Sequence, residues 1–366
     1  STLVRSSAAS DVYKRQVEGA HDEVIALADR LGAPIVHALR GKEFIEYDNP
    51  FDVGMTGLLG FASGYRAMEA ADTLLVLGSD FPYEQFYPEH ATTIQVDIRG
   101  SQLGKRHPLD LGLVGDVRAT ADALLPRLAE KSDRDHLDDS TAHYRKTRAK
   151  LDDLATPTKA GRPIHPQYLA RLLDEQAADD AVFTADVGSP TVWAARYLSM
   201  TENRRLIGSF THGSMANALL HGIGAQVSHP DRQVIALAGD GGLAMMLGEL
   251  LTLTQNKLPV KTIVVNNSSL NFVELEMKAA GFVNYGTALD NPSFAAIAEA
   301  MGIFARRVEN SEDLPDAVRE VLAHDGPALL DVVTERQELS MPPAIEAAQV
   351  KGLSLIHISE PTRLLS

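Results

Sequence analysis

The sequence predicts an α/β protein of two doubly wound parallel-sheet domains, and three observations carry that prediction. Short apolar runs alternate with amphipathic helical stretches across residues 17–128, the alternation restarts at residue 164, and a glycine-rich turn follows one strand of the second series. At 366 residues the chain is long enough for two domains, each with a sizeable core. Both series follow the same strand-helix logic, with no short-period repeat.

Taken in order, residues 21–31 read as a helix with Val24, Leu27, Ala28 and Leu31 on one face and Gly32 as its stop. Strands are expected at Pro34-Ile-Val-His-Ala38, Thr73-Leu-Leu-Val-Leu77 and Thr93-Ile-Gln-Val-Asp97. Residues 129–163 turn highly charged and read as a solvated helix and linker, because acids interleave with the bases of Tyr144-Arg-Lys-Thr-Arg-Ala-Lys150. The second domain, 164–353, is expected to place strands at 181–185, 205–208, 233–238, 260–265 and 328–333. Residues 1–16 and 354–366 resemble adaptor-derived translations, so both are expected to be non-native tails and are set outside the fold.

Composition narrows the function. With 45% hydrophobic and 23% charged residues the chain sits in the ordinary globular range. A net charge of −15 repels phosphate backbones, so no nucleic acid is expected as a partner and any phosphate must be gripped locally. The absence of cysteine excludes disulfides, thiolate metal sites and cysteine nucleophiles, and fits a reducing cytoplasm. No apolar stretch approaches the ~18 residues of a membrane span.

Chemistry concentrates where strand 233–238 runs into Gly239-Asp240-Gly241-Gly242. Glycines let backbone approach a ligand, and a helix amino terminus beyond a parallel strand suits a diphosphate. Asp240 alone would repel that diphosphate. The conflict disappears if the carboxylate binds Mg²⁺, which takes one or two protein oxygens together with phosphate oxygens and water. A further ligand should come from a neighbouring strand tip, and Asn266-Asn267 ends strand 260–265, with Asn267 lying 27 residues beyond Asp240. A lone Gly-Asp-Gly is more often a turn; paired with an Asn-Asn strand end it points to a metal.

Gly-Asp-Gly, a helix and strand, then Asn-Asn at that distance resemble the cofactor motif of thiamin diphosphate-dependent enzymes. The resemblance implies that Asp240, Asn267 and the Ser269 carbonyl hold Mg²⁺, with Gly241, Gly242, Ser268 and Leu270 around the cofactor. It places Val187, Gly188 and Ser189 at the diphosphate, in Asp186-Val-Gly-Ser-Pro-Thr-Val-Trp193. It also makes Met215, in Gly213-Ser214-Met215, the apolar wedge that bends thiamin into a V. Without the motif Met215 would read equally as core. Past the metal ligands, Phe272, Val273 and Glu276 would face the substrate, Glu276 as a proton-transfer or orienting group. By itself, Glu276 reads as an exposed helical glutamate. His212 and His221 receive no role.

Within this family the resemblance covers residues 17–353 and is densest to pyruvate:quinone oxidoreductases of the pyruvate oxidase type. It rests on Arg40-Gly-Lys-Glu, on Glu46-Tyr-Asp-Asn-Pro-Phe-Asp-Val-Gly-Met-Thr-Gly-Leu-Leu-Gly-Phe61, and on Ile164-His-Pro-Gln-Tyr-Leu and Val192-Trp-Ala-Ala-Arg-Tyr-Leu. It implies a central FAD-type domain over 17–128, with Leu58, Leu59, Gly60 and Phe61, then Phe81, Pro82, Tyr83, Glu84 and Gln85, then Asp97 and Arg99 lining FAD. The residues support flavin less directly, because the glycine spacing departs from the dinucleotide fingerprint.

Oxidative decarboxylation of pyruvate to acetate and CO₂ is the implied reaction. Its electrons would pass to FAD and then to a quinone, in a homotetramer that lies in the cytoplasm, peripheral to the inner membrane face, and touches the membrane surface when full length. Relatives carry an amino-terminal pyrimidine-binding domain that supplies an activating glutamate. This chain is therefore expected to be a fragment, inactive alone. The alternatives are a non-redox carboligase of the acetolactate synthase kind and a non-catalytic cofactor-binding remnant.

Overall fold

Among the described residues, 5–8 and 17–336 of a computed structural model, twelve strands form two six-stranded parallel sheets. The chain divides into two compact units, the first running to Asp152 and including Ser199–Glu202, the second comprising, among the described residues, Asp153–Leu198 and 203–336.

The sheet of the first unit contains β1 (Arg5–Ala8), β2 (Ile35–His37), β3 (Asp52–Met55), β4 (Thr73–Leu77), β5 (Thr92–Asp97) and β6 (Leu111–Val114). Their order is β3-β2-β1-β4-β5-β6, the doubly wound order of dinucleotide-binding folds. Strands expected from apolar runs recur as β2, β4 and β5. The first sixteen residues, set outside the fold by sequence, supply β1, whose Ser7 pairs with both Val36 and Val76. A central strand is required there, since β2 and β4 would otherwise present unpaired backbone to each other. The strand β3 escapes the apolar pattern because it carries Asp52 and Gly54, and β6 is a four-residue edge strand interrupted by Gly112.

Helix His21–Leu31 buries Val24, Leu27, Ala28 and Leu31. It stops at Gly32, whose left-handed backbone (φ 53°) lets its N–H reach the Ala28 and Asp29 carbonyls. The charged stretch over 129–163, read as a solvated helix and linker, contains such a helix. Most of it is the helix Asp135–Leu154, and the unit boundary falls at 152/153. Its Tyr144 packs on Val36, Val53 and Ala67 and meets Phe61 edge-on at 6.1 Å, and its Leu137 joins the core with Val24 and Ile35, so two apolar side chains anchor a mostly solvated helix.

The second sheet contains β7 (Val182–Ala185), β8 (Arg205–Gly208), β9 (Val234–Gly239), β10 (Lys261–Asn266), β11 (Phe304–Val308) and β12 (Ala328–Val333), in the order β11-β12-β10-β9-β7-β8. Five were expected. The sixth, β11, carries exposed Arg306 and Arg307 at a sheet edge, which breaks the apolar run. From β7 the chain turns to β8 on one side and then to β9 on the other. That reversal opens a crevice beyond the carboxyl ends of β7 and β9, where parallel α/β sheets bind ligands. Beneath it Val182, Ala236, Ala238, Val264 and Leu329 form a fully buried core against the helix Ala218–Ser228.

No helix among the described residues is long and apolar enough to cross a membrane.

Candidate functional site

The register of β9 and β10 brings two strand tips together. Val265 pairs with Gly239, so Asp240 and Asn267 emerge close together, each just beyond its strand. Asp240 is 3% exposed. Its Oδ1 accepts the Gly241 N–H at 2.8 Å; its Oδ2 accepts the Ser268 N–H at 2.7 Å and Asn291 Nδ2 at 2.8 Å. Burial pushes its carboxyl above the ordinary range, against hydrogen bonds from Gly241, Asn291, Ser268 and Asn267. Asn267 Oδ1 accepts the Ser269 N–H at 3.1 Å and keeps a second lone pair.

The turn holding these groups is strained and strapped. Ser268 has φ 54°, a left-handed conformation costly for a side chain and tolerated where surrounding bonds over-determine it. Those bonds run from Leu270 N to the Thr287 carbonyl (2.8 Å) and from Leu289 N to the Ser268 carbonyl (3.0 Å). Asn291 also donates to Asn266 Oδ1 at 3.0 Å, and Asn266 donates to buried Asp331, which Arg307 pairs at 2.7 Å. Ser269 Oγ donates at 2.5 Å to Glu274, a carboxylate 1% exposed that also receives Lys278 and Asn284.

A cavity of about 250 Å³ opens at this point. Its floor includes Asp240, Gly241, Gly242, Asn267, Ser269 and Leu270; Val187, Gly188 and Ser189 close it from the β7 end, with Gly213 and Met215 beside them. Phe272, Val273 and Glu276 form the remaining wall, Val273 and Glu276 from exposed positions. Two of the residues expected at the cofactor do not line the cavity. Ser214 instead gives its carbonyl to Val187 N and Asn217 Nδ2, and Ser268 gives its N–H to Asp240.

Asp186, a neighbour of the expected residues, organises the crevice. It is 2% exposed and its carboxylate accepts three backbone N–H groups, from Asn217 (2.7 Å), Ala218 (2.8 Å) and Gly239 (3.1 Å). It therefore caps the helix Ala218–Ser228 from outside and pins the β9 exit. Gly242 is glycine for the same reason, since a Cβ there would lie 2.2 Å from Asp186 Oδ2. An isolated Asp before Val-Gly-Ser carries no sequence signal for this role, because all three partners are backbone groups remote in the chain. His221 bonds to Asn217 Oδ1 at 2.9 Å, and His212 is exposed.

No group of three or more His, Cys, Asp or Glu side chains suited to a metal occurs among the described residues. The donors at the strand tips are one carboxylate with amide and backbone oxygens. That set suits a hard cation that keeps water and phosphate oxygens, as Mg²⁺ does. The glycine-lined floor leaves room for a diphosphate beside it.

In the first unit, the residues expected at a flavin divide between packed and exposed positions. Phe81 is buried with Leu74, Val76, Phe86 and Tyr87, and meets Tyr83 at 5.3 Å; Phe61 packs on Tyr144. A Cβ at Gly54 would lie 2.3 Å from Phe61, and at Gly60 2.7 Å from the Met55 carbonyl oxygen. Those glycines thus serve close packing of the chain on itself. Leu58 (45% exposed), Pro82, Glu84 and Gln85 face solvent, with Leu59 half-buried. Asp97 is buried and accepts the Arg99 N–H at 2.8 Å in a tight turn.

Residues 186–332 match the family model of the C-terminal TPP binding domain of thiamine pyrophosphate enzymes, and residues 13–124 match that of their central domain. The thiamine pyrophosphate-containing protein YdaP of Bacillus subtilis (strain 168) is 36% identical over 332 residues, 91% of this chain and 57% of that protein. The acetolactate synthase large subunit of Porphyra purpurea is 30% identical over 357 residues, 95% of this chain and 60% of its own length. Pyruvate oxidase of Lactiplantibacillus plantarum is 28% identical over 317 residues, 85% and 52% respectively. The chain thus spans a little over half the length of these relatives.

Proposed function

The chain belongs to the thiamine pyrophosphate-dependent enzymes, with their central and C-terminal domains, and from that premise we propose that its second unit grips the diphosphate end of thiamin diphosphate through Mg²⁺ for decarboxylation of pyruvate. One observation carries the reading: Asp240 and the Asn267–Ser269 turn meet at a single cavity, tied by the Ser268 N–H on the Asp240 carboxylate. Asp240, Asn267 and Ser269 would hold the cation, and the backbone of Gly188, Gly241 and Gly242 would border the diphosphate. Bound thiamin diphosphate supplies the carbon nucleophile and electron sink that allow a 2-oxo acid to lose CO₂. Met215, 38% exposed at the cavity wall, would support the cofactor from its apolar side. Phe272 and Val273 exclude water from the substrate, and Glu276 moves or holds a proton at its carboxyl oxygen.

The oxidative reading completes this as a pyruvate:quinone oxidoreductase, with FAD on the first unit and a homotetramer at the cytoplasmic membrane face. The dinucleotide-type strand order supports it. Acetolactate formation is the rival, and the similarity to acetolactate synthase over 95% of this chain favours it equally.

The test has two stages. Mg²⁺ and thiamin diphosphate titrated into the chain should bind together, and Asp240→Asn should abolish the joint binding; unchanged affinity in that variant overturns the site. With a pyrimidine-binding domain supplied, pyruvate should then bleach added FAD. Acetolactate without bleaching selects the carboligase.

A further inference from the structure

One hydrogen bond joins the β7 exit to the β10 exit within the cavity wall. Asn271 Nδ2 donates to Ser189 Oγ at 3.1 Å, linking loops 82 residues apart. Both residues line the cavity and both are buried, Asn271 to 6% exposure. Asn271 Oδ1 has no hydrogen-bond partner in the protein, and a buried unpaired amide oxygen is costly. A serine hydroxyl holds one proton and accepts at its lone pairs. With the Asn271 amide occupying an acceptor position, the Ser189 proton remains free to donate.

We propose that Asn271 is a positioning residue that fixes the Ser189 hydroxyl as a hydrogen-bond donor to a diphosphate oxygen in this cavity. The inference rests on the thiamin diphosphate reading and deepens it. Chemistry selects the ligand class. A diphosphate only accepts hydrogen bonds, so a hydroxyl with one lone pair engaged by Asn271 and its proton uncommitted is matched to it. The amide also sits between Asn267 and Ser269, at the metal end, and Phe272 and Val273, at the substrate wall. Its bond to Ser189 therefore fixes the spacing of the cavity's two sides. The unpaired Oδ1 gives the amide a second state. Rotated by half a turn, it would accept the Ser189 proton and remove that donor from the ligand.

The test uses the full chain with Mg²⁺ and two probes, inorganic pyrophosphate and thiamin diphosphate, read by calorimetry and by the fluorescence of Trp193, the single tryptophan. Wild type should bind both. Ser189→Ala and Asn271→Ala should each weaken pyrophosphate binding about tenfold, with the double variant no weaker than either single one. Asn271→Asp should cost more, on the order of a hundredfold, because its carboxylate captures the Ser189 proton and adds like charge. Asn271→Gln, which retains an amide donor, should recover part of the loss, a recovery that a purely space-filling role would not produce. Additive losses, or wild-type pyrophosphate affinity in folded Asn271→Ala, overturn the proposal while leaving the cofactor reading standing. If Asn271→Ala fails to fold, Ser189→Ala removes the same bond from the other side, and unchanged affinity there is equally fatal. Wild type that binds neither probe overturns both.

Discussion

Asp186 shows how far one side chain can set a site through backbone hydrogen bonds. Its carboxylate receives three N–H groups from two segments that would otherwise leave helix and strand ends unpaired. Asp186→Asn turns an amide NH₂ toward at least one of those donors. The variant should lose about 1–3 kcal/mol of stability, measured by urea unfolding; a loss within error would show that the three bonds are replaceable by water. Lys261 gives the pH dependence at this scale. Burial lowers its ammonium to about 8, with Asp325 opposing, while its Nζ donates to the His324 and Gly326 carbonyls. Below that value the folded and unfolded chains both carry the charge. Between about 8 and the ordinary 10.5, the folded state has released a proton the unfolded chain keeps, so rising pH favours the fold. Wild type should accordingly gain stability relative to Lys261→Met as pH rises through that interval. Parallel curves would disprove it.

At the scale of elements, the strand tips and their straps determine the geometry. The β9 and β10 register fixes where Asp240 and Asn267 emerge, and the segment around 287–291 locks the turn between them. Asn291 bridges Asp240 to Asn266 and so acts from behind on the carboxylate proposed to hold the cation. Outer partners of metal ligands typically contribute about 10–100-fold in affinity. Asn291→Ala should weaken Mg²⁺-dependent cofactor binding by that order, with the far-ultraviolet spectrum unchanged. Binding as tight as wild type would assign Asn291 to the fold alone. The Gly-Asp-Gly and Asn-Asn signals were legible because the two occur together at strand ends at a fixed spacing, where either alone would read as a turn. Asn291, Glu274 and Asp186 were not legible, since each acts through bonds that exist only once distant segments are packed together.

For the whole molecule, each sheet buries its own core, and the cavity residues belong to the second unit alone. Thiamin diphosphate with Mg²⁺ should slow amide exchange at 186–189, 239–243 and 266–273 and leave β2, β4 and β5 unchanged, as followed by mass spectrometry. Binding at about a hundred times the dissociation constant adds about 2.7 kcal/mol to the folded state. Slowed exchange confined to the first unit would move the cofactor site there.

The sequence by itself determined the α/β class, most strands of both sheets and the pairing of Asp240 with Asn267 at neighbouring strand tips, because apolar periodicity and strand-end chemistry are local properties of the chain. Tertiary structure alone decided that residues 5–8 form a central strand, that the charged helix joins the first unit through Leu137 and Tyr144, and that Phe61 and Phe81 are packed against neighbouring side chains. It alone set Asp186, Asn291 and Glu274 behind the site. Burial and long-range hydrogen bonds depend on which segments meet, and no local pattern of residues specifies that.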